Sequence, residues 1–113
     1  MQIEESKFRQ LVARALTALG ATVDGIDSDD VDYKLSDGVL TVEFESGGVF
    51  VLSQQVPVRE LWLSAFSRAW HFRYADGAWV ERDSGESLES VLASLFTRKL
   101  AFEVTVANPG PPQ

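Results

Sequence analysis

VDYKLSDGVLTVEFESGGVFVL, residues 31–52, is the run whose reading decides the fold. Val31, Tyr33 and Leu35 alternate with Asp32 and Lys34, and Leu40, Val42 and Phe44 alternate with Thr41, Glu43 and Glu45. A period of two sends one set of side chains to a buried face and the other to water, as in a half-buried strand. Ser36-Asp37-Gly38 and Ser46-Gly47-Gly48 supply glycine where a hairpin needs positive φ, and Val49–Leu52 resumes the apolar run. The stretch predicts a three-stranded antiparallel meander.

On the N-terminal side, Phe8, Leu11, Val12, Ala15, Leu16 and Leu19 form one stripe at helical spacing. They predict an amphipathic helix over 3–19, with Glu4 and Glu5 in its first turn and Gly20 as the residue that closes it. Residues 21–30 then read as a loop rich in Gly and Asp. From Asp24 to Glu45 there are eight carboxylates and one cation, Lys34, so this segment's imbalance equals the net charge of −7 of the whole chain. The acidity is local, and it sits on the loop and the first two strands. If Asp30 and Asp32 share one strand face and Glu43 and Glu45 lie on the wet face of the next, like charges come within cross-strand distance. A cation or a basic partner would relieve that repulsion.

On the C-terminal side, Pro57 interrupts the ladder and predicts a connection over 55–58, followed by a strand over 59–64. There Leu61 and Leu63 share one face, which leaves Trp62 on the other. WHFRY (70–74) and WVER (79–82) flank Ala75-Asp76-Gly77-Ala78 as a further hairpin, giving six strands. Ser87 suits an N-cap, and Leu88, Val91, Leu92, Leu95 and Phe96 mark a second helix with Arg98 and Lys99 in its last turn. AFEVTV (101–106) reads as a seventh strand or as an extended arm laid between the helices. Residues 108–113, NPGPPQ, read as a frayed tail. The expected architecture is α+β: a two-layer sandwich with two terminal helices packed on one face of an antiparallel six- or seven-stranded sheet, one domain over 1–107.

Composition narrows function. At 113 residues the chain suits one domain, and three Trp, two Tyr and seven Phe argue against disorder. With no cysteine it offers no disulfide, thiolate metal site or cysteine nucleophile. The acidic balance disfavours nucleic acid, since the ten Lys and Arg do not cluster against a phosphate backbone. The polar, acidic start MQIEESKFRQ and the lack of a long apolar run predict a cytoplasmic protein with no membrane segment.

Gln55-Val-Pro57, Arg59-Glu-Leu-Trp-Leu-Ser64, Trp70-His-Phe72, Trp79-Val80 and Asp83-Ser-Gly-Glu-Ser87 together resemble the frataxin family, most closely its bacterial CyaY-type form. The resemblance spans roughly 8–96. It implies a helix–sheet–helix sandwich, weak Fe²⁺/Fe³⁺ binding on surface carboxylates, and docking onto the cysteine desulfurase and the scaffold protein of iron–sulfur cluster assembly. The implied iron ligands are Asp24, Asp27, Asp29, Asp30 and Asp32, with Glu43 nearby. The implied partner-facing residues are Trp62, Gln55 and Ser53, the last standing where the family has Asn, together with Asp29, Asp30 and Asp32. Two departures stand out: residues 18–23, ALGATV, lack the carboxylates that the family usually carries on the second half of its first helix, and the 101–106 extension has no clear bacterial counterpart.

The resemblance implies an accessory regulator of sulfur transfer, a monomer with iron-dependent oligomers as the alternative, that docks first and holds iron second.

 Oxygen ligands suit hard cations, and without Cys or a second His they discriminate little among them. Two alternatives stand beside this reading: an iron-oxidising, iron-donating or storage protein, and an acidic interaction module with no metal role. No triad spacing and no converging Glu and His set marks a catalytic centre, so no enzymatic activity is expected. His71, the single histidine, reads as a strand residue rather than a ligand.

Overall fold

The computed structural model describes residues 3–26, 28–101 and 104–109. Its elements are α1 (Glu5–Asp24), β1 (Val31–Ser36), β2 (Val39–Phe44), β3 (Val49–Gln55), a 3₁₀ turn (Val56–Val58), β4 (Glu60–Ala65), β5 (Arg68–Ala75), β6 (Ala78–Glu81) and α2 (Leu88–Leu100). The six strands form one antiparallel sheet in sequence order, β1-β2-β3-β4-β5-β6. Every neighbour is a chain neighbour, so each connection is a short hairpin or turn.

The meander forms as its alternation requires. Leu40, Val42, Phe50 and Leu52 are buried on the face that receives α1 and α2, and Leu61, Leu63, Phe72 and Trp79 continue this layer across β4 to β6. The helices contribute Phe8, Leu11, Val12, Leu16, Leu92 and Phe96 to the same cluster. The opposite sheet face carries no helix among the described residues, and Trp62 stands on it with 36% of its surface exposed. That is where the alternation with Leu61 and Leu63 places it.

Helix α1 runs four residues past Gly20, which corrects the expected stop. A Cβ on Gly20 would lie 2.8 Å from Cε2 of Tyr33, so the glycine makes room for a strand side chain to cross the helix. This close packing offsets the roughly 1 kcal/mol that glycine costs inside a helix. Asp24 is consequently the last helical residue, at the negative end of the dipole and with no base in that turn.

The strand expected over 59–64 begins at Glu60, because Arg59 adopts a left-handed conformation (φ 53°) after the 3₁₀ turn. Ser87 caps α2 by accepting a hydrogen bond from the Ser90 N–H, as its position suggested. Among the described residues, 104–109 form no seventh strand, and the segment packs as an arm against α2. The N–H of Val104 donates to Thr97 Oγ1 at 3.0 Å, and Val104 and Val106 join the core. Pro109 is also buried, so ordered packing continues beyond 107; residues 110–113 of the expected tail lie outside the described residues. No helix among the described residues is long and apolar enough to cross a membrane.

Candidate metal and docking sites

The acidic segment wraps around the β1 edge. Tyr33 points to the helix layer, where its hydroxyl donates to Asp24 Oδ2 at 3.1 Å. That bond, then burial and the charges of Asp24 and Asp32, raises the phenol pKa above its ordinary value. Neighbouring Asp32 points to the other face, where it is the direct cross-strand partner of Glu43. The expected approach of Asp32 to Glu43 is therefore present, while Asp24 belongs to the opposite side of the sheet.

Several of these carboxylates already have partners. Asp30 accepts from the Ser46 N–H at 2.8 Å and from the Ser46 hydroxyl at 3.1 Å, while its carbonyl accepts from the Glu45 N–H. It clamps the β2–β3 turn. Glu43 lies 3.5 Å from Lys34 Nζ, and Asp32 accepts from the Tyr33 N–H. Asp29 is exposed in the turn before β1, and Asp27 lies outside the described residues. The oxygen donors suit a hard cation, but their spread over two faces and their existing bonds favour a loosely held, largely hydrated ion.

Of the residues expected to face a partner, Ser53, Gln55 and Trp62 come together, while Asp29, Asp30 and Asp32 lie apart at the β1 edge. Ser53 is the cross-strand partner of Trp62, and Gln55 Nε2 donates to Ser53 Oγ at 3.2 Å. On the other side Trp62 pairs with His71, their rings meeting edge to face at 4.7 Å between centroids. The Trp62 indole N–H donates to Glu60 Oε1 at 2.9 Å, and Glu60, only 5% exposed, is in turn held by Arg82 at 3.1 Å. This network fixes the indole plane while leaving its face open. An aromatic held this way loses little conformational entropy when a partner covers it.

Two buried carboxylates escaped the sequence reading. Glu60 opens β4, and its spacing of two from Trp62, which places both on one face, is the signal the sequence offers. Glu81 ends β6 and accepts from the N–H groups of His71 (3.1 Å), Asp83 (2.9 Å) and Ser84 (2.8 Å). Burial pushes its pKa up, but these donors outweigh it and hold the carboxyl at about 2. Glu81, His71 and Asp83 are also the group among the described residues whose possible ligand atoms all lie within 4.8 Å of one another. None of the described carboxylates from Asp24 to Glu45 belongs to that group.

Known proteins share this architecture. A model of the "Frataxin-like domain" matches residues 1–101. The chain is 39% identical over 109 residues to the "Iron-sulfur cluster assembly protein CyaY" of Azotobacter vinelandii, covering 92% of this chain and 96% of that one. It is 36% identical over 90 residues to the protein of that name from Vibrio cholerae, covering 80% and 86%. Among solved structures, frataxin from Psychromonas ingrahamii shares the fold, with a TM-score of 0.86 at 24% identity over 94% of this chain and 100% of that one. Trimeric frataxin from Saccharomyces cerevisiae, complexed with ferrous iron, superposes with a TM-score of 0.61 at 25% identity, covering 89% of each chain. Two helices on an open six-stranded sheet, the matched family model and the bacterial relatives agree, and the chain belongs to the frataxin-like family.

Proposed function

We propose that this protein is a non-catalytic accessory factor of iron–sulfur cluster assembly, acting as a cytoplasmic monomer that docks on the cysteine desulfurase and the cluster scaffold and modulates sulfur transfer. The observation that carries this reading is the open sheet face, on which Ser53, Gln55 and Trp62 stand together with the indole fixed by Glu60. Its relatives from Azotobacter and Vibrio bear the name of cluster-assembly proteins. The acidic β1 edge supplies a complementary charge for a basic partner, an interaction that acts chiefly on encounter rate and orientation. Iron is a weakly held ion at that edge, with exposed Asp29 and Asp32 among its ligands and Asp24 and Glu43 on either side of the sheet.

Desulfurase turnover with and without this protein, at varied iron and salt, tests the proposal. Addition is expected to change turnover, and the change is expected to shrink at high salt and in an Asp29→Asn/Asp32→Asn variant. Unchanged turnover at every protein concentration would contradict it. Fe²⁺ oxidation is expected to proceed at the rate of a protein-free control.

A further inference from the structure

We propose that His71, Glu81 and Asp83 form a separate site for a borderline divalent transition-metal ion, with Zn²⁺ as its test ion, at the β5–β6 end of the sheet. Their possible ligand atoms lie within 4.8 Å of one another and combine one imidazole nitrogen with two carboxylates. That donor set suits a four-coordinate ion whose remaining position holds water. It differs from the all-oxygen acidic edge, which lies on the order of 20 Å away across four strand spacings.

Two of the three ligands are already oriented. Of the backbone donors, those of Asp83 and Ser84 reach Glu81 Oε1 and that of His71 reaches Oε2, which with one such donor retains a lone pair for a cation. The backbone N–H groups serve as the outer shell that aims a ligating carboxylate. The His71 ring is braced by Trp62. Asp83, whose side chain is 81% exposed, supplies the movement that closes the site. Ligands about 2.1 Å from a tetrahedral ion lie roughly 3.4 Å apart, so a separation of 4.8 Å must contract by roughly 1.4 Å. Arg82 Nε lies 3.8 Å from Asp83 Oδ2 and competes with the ion, but its guanidinium has Glu60 as an alternative partner.

Because His71 is the only histidine in the chain, its ring nitrogens give an unambiguous NMR signal. Titration of the full chain with Zn²⁺ at neutral pH is expected to shift one His71 ring nitrogen, complete at one equivalent. By calorimetry, His71→Gln and Asp83→Asn are each expected to weaken this step at least tenfold, while Asp29→Asn/Asp32→Asn leaves it unchanged. Asp83 is exposed, so its substitution keeps the fold even if His71→Gln disturbs it. An unshifted His71 ring at one equivalent of Zn²⁺, or undiminished affinity in Asp83→Asn, overturns the proposal.

Discussion

Replacing Glu81 with Gln removes the charge that organises the turn between β6 and α2 while keeping the side chain's size. The wild-type carboxylate receives three backbone N–H bonds; in the variant one amide NH₂ must face a backbone donor, leaving that donor unpaired. The lowering of the carboxyl pKa from 4.5 to about 2 corresponds to at most about 3.4 kcal/mol at ~1.36 kcal/mol per unit. Exposed Arg82, Asp83 and Ser84 flank the site, so solvent screening brings the expected cost to about 1–2 kcal/mol. The sign follows from linkage: a folded-state pKa below the unfolded one gives stability that is present above about pH 4.5 and disappears as pH falls towards 2. Urea unfolding of wild type and Glu81→Gln at several pH values reads this directly. The difference is expected to be full at pH 7 and to shrink between those two pKa values. Equal stability at pH 7, or a difference that persists undiminished at the lowest pH, would refute the reasoning.

Three further outcomes follow from the packing. Asp24→Asn removes the principal cause of the raised Tyr33 pKa, so ultraviolet titration should show the phenol ionising at lower pH than in wild type. Ser67 has φ 60° without being glycine, and Ser67→Gly should stabilise the β4–β5 hairpin by about 0.5–1 kcal/mol in thermal unfolding. Val104→Ala should cost about 1–2 kcal/mol by the same measurement, because the side chain is buried against the core; an unchanged midpoint would show that the arm is not part of the folded unit.

The sheet was legible because one face is apolar and the other wet: Val31, Tyr33 and Leu35 pair with Phe44, Val42 and Leu40 in the register that alternation requires. The end of α1 was not legible from local propensity, because Gly20 is tolerated only through Tyr33, a residue distant in sequence that fills the space over it. The Phe66–Ser67 turn carried no glycine to mark its positive φ angles. On the open sheet face, period two sufficed to place Trp62, and the family motif to group Ser53 and Gln55 with it. The bonds that commit Asp30 to Ser46 and Glu81 to its turn join groups whose meeting depends on the folded backbone, and composition does not reveal them. Charge counting therefore located the acidic edge but overstated how many of its carboxylates are free.

The most direct test of the central claim is the affinity of this protein for the cysteine desulfurase and the scaffold, measured for wild type, Trp62→Ala and Asp29→Asn/Asp32→Asn. The account predicts that both variants stay folded, that Trp62→Ala weakens scaffold binding at least tenfold, and that the acid-neutralised variant weakens desulfurase binding in a salt-dependent way. Wild-type affinity in both variants, for both partners, would contradict it.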